Sequence, residues 1–262
     1  MESNIHIQQK QSPLIVTAIH DGHFIPPAFR KLMRLQEHER MREEDPYTAY
    51  MANIPINTIT IDTSRFLVDL NRSREQCLYK RPEDAWGLTV WNGSIPEEME
   101  QGLLTYYDLF YKRVNTLLQE QIALYGHFVL LDIHSYNHRR SNPFEEAPID
   151  ENPEINIGTI HNLPKWRPLI TRFTAFLSQT LIKGREPDVR ENVKFKGGYF
   201  SEWICQHYGN HGCVLSIEFK KNFMDEWTGR VDIDHLADIQ QALKNSLPIL
   251  INELHKISTL PI

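Results

Sequence analysis

Two histidines stand where apolar runs stop. Pro13–Leu14–Ile15–Val16–Thr17–Ala18–Ile19 leads into His20–Asp21–Gly22–His23, and His127–Phe128–Val129–Leu130–Leu131–Asp132–Ile133 leads into His134–Ser135–Tyr136. Short continuous apolar runs read as buried strands, and open α/β folds place ligands at the carboxyl ends of such strands. Neutral imidazole is a common zinc ligand, and a catalytic zinc takes three protein ligands and keeps one position open. His20 and His134 supply two. His23 offers a third at His-x-x-His spacing, although Gly22 and Pro26 put it in a loop rather than on a fixed helical face. Glu44 and Asp45, in Arg42–Glu43–Glu44–Asp45–Pro46–Tyr47, are rival third ligands, with a charged turn before a proline as their plainer reading. Asp132 and His134 are two apart on one strand and so share a face.

Hydrolysis at such a centre also needs a base for water and cations for an anionic substrate. Glu218 is the base candidate, a lone carboxylate in the apolar run Cys213–Val214–Leu215–Ser216–Ile217–Glu218–Phe219. Burial there is costly unless the group is paired or used. An ion pair with Lys220 or Lys221 is the structural alternative. Asp69–Leu70–Asn71–Arg72 offers a carboxylate clamp, since a guanidinium presents a fork of donors and a neighbouring amide adds another. Arg65 lies just before it, and Arg139 and Arg140 follow His134 closely. In Lys196–Gly197–Gly198–Tyr199 the paired glycines permit close backbone approach to a ligand. Tyr199 would then close over the substrate or donate its hydroxyl, or else open the next helix.

These groups need a frame. Strand-like runs recur at 13–19, 56–61, 65–69, 127–133, 155–160 and 213–219. Helical periodicity covers 95–124, with Ser94 and Glu97 at capping-box spacing and Leu103, Tyr107, Phe110, Val114, Leu117 and Ile122 on one stripe. A second helix is expected over 165–182, with Ile170, Phe173, Phe176, Leu177 and Leu181 as its stripe, and a third over 232–256. Asp232 would cap the third, and Pro248 would kink or divide it. The alternation predicts an α/β three-layer sandwich with a central mixed, mostly parallel sheet. The acidic, proline-containing stretch 141–153 reads as a solvated loop, and as a candidate lid by its place after His134. No linker or repeat interrupts the 262 residues, so 1–262 is read as a single catalytic domain.

Composition narrows the partners. Lys and Arg number 28 against 34 Asp and Glu, a net charge of −6, which gives no basic surface for nucleic acid. No apolar run approaches bilayer length, and the start lacks the basic and apolar regions of a signal peptide. Cys77, Cys205 and Cys213 are odd in number and without paired spacing, which reads as reduced thiols in the cytoplasm. Oligomeric state is not legible in one chain.

Taken in order, these pieces resemble the N-formylglutamate amidohydrolase family, itself similar to zinc carboxypeptidases and aspartoacylases, from about residue 13 to about 230. Leu131–Asp132–Ile133–His134–Ser135–Tyr136 is similar to the carboxypeptidase segment that supplies the late zinc-binding histidine. Asn71–Arg72 resembles the pair that grips a substrate carboxylate, and Ser216–Ile217–Glu218–Phe219 the strand that bears the general base. Lys196–Gly197–Gly198–Tyr199 is similar to a loop typical of the formylglutamate hydrolases. The resemblance implies a zinc carboxypeptidase-like, phosphorylase/hydrolase-like sandwich that uses Zn2+. It implies hydrolysis of a small anionic N-acyl amino acid, with N-formyl-L-glutamate, cleaved to formate and glutamate, as the type substrate. Glu218 would be the base, and Asn71 and Arg72, helped by Arg65 or Arg140, would hold substrate carboxylates. One departure stands out: where carboxypeptidases have His-x-x-Glu, this chain has His20–Asp21–Gly22–His23. The resemblance then favours Asp45 as second ligand, with Glu44 close behind, and His23 remains the rival from spacing. Two alternatives stay open, a carboxypeptidase-like hydrolase of another conjugate or peptide, and a metal-free binding module.

Overall fold

The computed structural model describes residues 2–258. Seven strands, β1 (Ile5–Gln8), β2 (Leu14–Ala18), β3 (Asn57–Ile61), β4 (Phe128–Tyr136), β5 (Ile155–Gly158), β6 (Val189–Glu191) and β7 (Gly212–Lys220), form one sheet. Their order is β1-β3-β2-β4-β7-β5-β6. The pairings β2–β3, β2–β4, β4–β7 and β5–β6 are parallel, and β1–β3 and β5–β7 are antiparallel. The expected mixed, mostly parallel α/β sheet is therefore present. The helices are α1 (Pro27–Arg30), α2 (Glu37–Glu43), α3 (Thr48–Met51), α4 (Glu97–Tyr125), α5 (Arg167–Gln179), α6 (Tyr199–Tyr208) and α7 (Ile233–Ser258).

Alternation along the central strands divides the apolar residues between two cores. Leu14, Val16, Val129, Leu131, Ile133, Cys213, Leu215 and Ile217 form one core with Trp166, with Phe173 of α5 and with Ile239 and Leu250 of α7. Ile15, Phe128, Leu130 and Val214 face the other way, onto Leu103, Phe110 and Val114 of α4 and Phe200 of α6. That second face changes character toward the carboxyl ends. After Ile15 comes Thr17, after Leu130 come Asp132 and His134, and after Val214 come Ser216 and Glu218, all at the same strand period. One face of the sheet thus runs from apolar core into a polar floor.

Several elements depart from expectation. The run 65–69 is a turn, not a strand. The Ser64 hydroxyl accepts from the Phe66 N–H at 3.2 Å and the Ser64 carbonyl from Leu67 N–H at 3.0 Å. Such a local bond competes with sheet pairing, and Phe66, Leu67 and Val68 are buried without it. α4 begins after Pro96 with no side-chain cap, so Ser94 does not cap it, and Glu97, Glu98 and Glu100 occupy its first turn. Gly126 ends it at φ 75°. α7 is continuous through Pro248, and Asp232 accepts from the His235 N–H at 3.0 Å, as expected of its cap. Leu181 lies past the end of α5 and is exposed. The short strands β1 and β6 were too brief to stand out as periodic runs. No helix among the described residues is long and apolar enough to cross a membrane.

Candidate active site

β2 and β4 are parallel neighbours, so their carboxyl ends, with His20 just past β2 and His134 on β4, meet at one edge of the polar floor. Their ring centroids are 4.9 Å apart. Asp45 arrives from the segment after α2, its backbone N–H donating to the His20 carbonyl at 3.0 Å. Asp45 Oδ2 lies 3.1 Å from His134 Nδ1 and 3.5 Å from His20 Nδ1. All three residues are buried, and their ligand atoms fall within 4.8 Å of one another. Among the described residues this is the one such group of three.

The outer ring nitrogens fix the tautomers. His20 Nε2 donates to Asp69 Oδ1 at 2.7 Å and His134 Nε2 to Asp132 Oδ2 at 3.0 Å. A carboxylate only accepts, so each neutral imidazole carries its proton on Nε2 and turns a lone pair on Nδ1 toward Asp45. Two lone pairs and a carboxylate at such distances need a cation or a proton between them. His20 Nδ1 has no hydrogen-bond partner although it is buried. Where a proton takes the place of the cation, burial opposes the charges, but Asp132 and Asp45 hold His134 well above its ordinary value, and His134 and His20 in turn hold the Asp45 carboxyl well below the usual range. Donor set, tautomers and charge all fit a divalent metal, with carboxylates behind the imidazoles in the arrangement that orients metal-binding histidines.

These backing carboxylates are themselves held. Asp69 accepts from Arg65 Nη2 at 2.8 Å, from the Asn71 N–H at 2.8 Å and from the Tyr79 hydroxyl. Against the cost of burial, Arg65 and His20 keep Asp69 well below the usual carboxylate range. Asp132 accepts from the Thr17 hydroxyl at 2.6 Å.

Above the triad opens a cavity of about 300 Å³ lined by His20, Asp45, His134, Glu218 and a ring of cations. Glu218 is the register partner of His134 in the β4–β7 ladder, which sets the two side by side on one face. Burial pushes the Glu218 carboxyl up to about 7, with His134 drawing it partly back. Among the described residues no hydrogen bond or ion pair ties it down. Lys220 instead reaches the Asn152 carbonyl and Lys221 the carbonyls of Arg42 and Glu44, so the alternative of a lysine pairing is not what these side chains do.

The remaining candidates sort by place. Arg65, Asn71 and Arg140 line the cavity. Arg65 and Arg140 both face the Trp86 ring, at 4.9 and 5.8 Å from its centroid. Asn71 Oδ1 accepts from the Phe200 N–H at 2.9 Å. Arg72 is not among the lining residues; it donates to the Asp84 carbonyl at 3.0 Å and pairs with Asp69 at 3.6 Å, behind the site. Tyr199 opens α6 and turns its ring to Tyr111 at 6.2 Å, the structural alternative rather than a lid over the cavity. His23 falls outside the triad because Glu44 engages its Nδ1 at 2.6 Å. Glu44 is in turn bound by Arg40 and Ser64 and is not in the metal group. No residue of 141–153 lines the cavity. Gly197, at φ 117°, and Gly198 form one wall, and a Cβ on Gly198 would come within 2.3 Å of the Asn71 amide. Trp86, Lys194 and Lys221 also line it, and the sequence marked none of them as site residues, because nothing in their local patterns distinguishes them. A roomier cavity of about 540 Å³ lies against Phe219 and Ile239, but its Arg185 is already paired with Glu154 and its Lys183 with Asp232.

Comparison with known proteins agrees with this frame. A profile of the family described as N-formylglutamate amidohydrolase matches residues 12–224. The fold is similar to N-formylglutamate amidohydrolase from Ralstonia eutropha, at 16% identity and TM-score 0.73, covering 97% of this chain and 98% of that one. It is also similar to a gene product of Agrobacterium tumefaciens, at 16% identity and TM-score 0.68, covering 97% and 96%. A metallo-carboxypeptidase from Pseudomonas aeruginosa aligns at TM-score 0.39 and 14% identity over 95% of this chain and 61% of that one. No curated protein is close enough in sequence to count as a match. With the family profile spanning most of its length, the chain belongs to the N-formylglutamate amidohydrolase family.

Proposed function

We propose that the protein is a zinc-dependent amidohydrolase, one catalytic domain that cleaves a small anionic N-acyl amino acid, with N-formyl-L-glutamate as the leading substrate. The observation that carries this reading is the convergence of two carboxylate-backed imidazoles and Asp45 beside Glu218. His20, Asp45 and His134 would hold the ion. Zinc bound there would acidify water and polarise the substrate carbonyl.

The chain's own groups supply the rest. Glu218, pushed up to about 7 by burial, takes a proton from the attacking water and passes it to the departing amine. Arg65 and Arg140, with the Asn71 amide, receive substrate carboxylates, and the Trp86 ring lies against both guanidinium groups. Arg72 acts one layer out, on Asp69. A cavity of about 300 Å³ supports a small conjugate over a peptide. Three free thiols, Cys77, Cys205 and Cys213, support the cytoplasm as its compartment.

Formate release from N-formyl-L-glutamate by zinc-loaded protein, beside a panel of other N-acyl amino acids and a C-terminal peptide substrate, tests the reading. Glu218→Gln should lower kcat by roughly 10²–10⁴ while zinc stays bound. Substantial turnover in that variant removes Glu218 as base, and preferred cleavage of the peptide favours the carboxypeptidase alternative.

A further inference from the structure

Lys221 is the anomaly of the site. Its side chain is 1% exposed, and lysine is almost never buried so fully without a carboxylate partner. Here it has none among the described residues. Its Nζ donates to the Arg42 carbonyl at 2.6 Å and to the Glu44 carbonyl at 2.8 Å, and it lines the same cavity as the triad. Desolvating a cation to serve two neutral carbonyls is costly, and both carbonyls belong to the segment that delivers Asp45.

The Glu44 carbonyl belongs to the peptide unit that also carries the Asp45 N–H. That one plane is gripped from both sides, its carbonyl by Lys221 and its N–H by the His20 carbonyl at 3.0 Å. The Lys221 backbone N–H meanwhile donates to the Tyr136 carbonyl at 3.0 Å, two residues beyond His134, and Lys221 itself stands three residues past Glu218. One residue therefore joins the end of β4, the end of β7 and the irregular segment that delivers Asp45. His20 and His134 are placed by β2 and β4, but Asp45 has no strand to place it.

We propose that Lys221 is a positioning residue of the metal centre, fixing the Glu44–Asp45 peptide and through it the Asp45 carboxylate relative to His20 and His134. The inference rests on the metal-centre reading above. Its readout is zinc affinity measured by competition with a chromophoric chelator, with thermal melting of the chelator-treated protein measured in parallel. Lys221→Met keeps the length and removes the donors. It should bind zinc at least about tenfold more weakly, as loss of groups behind a ligand commonly does. In an Asp45→Asn background the same change should add little, because the carboxylate it positions is gone. A Lys221→Met protein that melts lower yet binds zinc as the wild type does overturns the proposal, since a purely structural role would give that result. If the Met variant does not fold, Lys221→Gln, which keeps a donor nitrogen on a shorter stem, should show a severalfold loss, and wild-type affinity there overturns the proposal equally. Wild-type protein that binds no zinc would instead sink the metal-centre reading itself.

Discussion

The two histidines of the site are held in the same way by different means. His134 and its carboxylate Asp132 sit two apart on β4, so the pleat alone puts them on one face, and a single hydroxyl from Thr17 suffices to hold Asp132. His20 is backed by Asp69, 49 residues away on an irregular turn, and that carboxylate needs Arg65, Tyr79 and the Asn71 N–H as well. A regular strand supplies position at no cost in side chains. A loop has to be pinned, and here the pinning includes a buried ion pair.

The difference can be tested by removing each carboxylate in turn. The largest effect is expected for Asp69→Asn, which removes the nearer of Arg65's two carboxylate partners, at 2.8 Å, and leaves Asp45 at 4.0 Å; it should cost about 3 kcal/mol in denaturant unfolding, besides weakening zinc binding. pH sharpens that prediction. Asp69 is held well below its ordinary value, so its stabilisation is fully present above the unfolded-state value near about 4 and is lost as pH falls below it. In chelator-treated protein the gap between wild type and Asp69→Asn should be full at neutral pH and shrink in acid. A gap that stays constant would show that Asp69 does not act as a charge.

Asp132→Asn comes next. It replaces the charged acceptor of the His134 Nε2 proton by a neutral amide oxygen, and it should lower zinc affinity by roughly 10–100-fold but cost only about 2 kcal/mol in stability. Equal stability losses at Asp69 and Asp132 would break the comparison. Tyr79→Phe is the smallest change, about 1 kcal/mol, with zinc affinity nearly untouched because Arg65 still holds Asp69.

The same contrast explains what the sequence disclosed. His134 with Asp132, and Glu218 in its apolar run, were legible because strand alternation is a local pattern. That β4 and β7 set Glu218 beside His134 is a matter of register, which no local pattern states. Around the loops, residue types were legible and their directions were not. Arg72 carried the clamp motif, but the Asp84 carbonyl and Asp69 engage it, and Arg65, from the turn before, reaches the cavity. His23 had ligand spacing, yet Glu44 beside Asp45 engages it and leaves Asp45 for the triad. Tyr199 turned inward because Tyr111 of α4, in ring contact with Tyr107, already offered an aromatic surface to α6. The apolar run 65–69 looked like a strand because burial was legible and the hydrogen bonding of Ser64 was not.

On the proposed function, His20, Asp45 and His134 hold one zinc ion. Elemental analysis of zinc-reconstituted protein after exhaustive buffer exchange tests it most directly, with His134→Ala and Asp45→Ala prepared alongside and shown to be folded by circular dichroism. One zinc per chain is expected in the wild type and almost none in either variant. A wild type without zinc, or folded variants that keep a full equivalent, would contradict it.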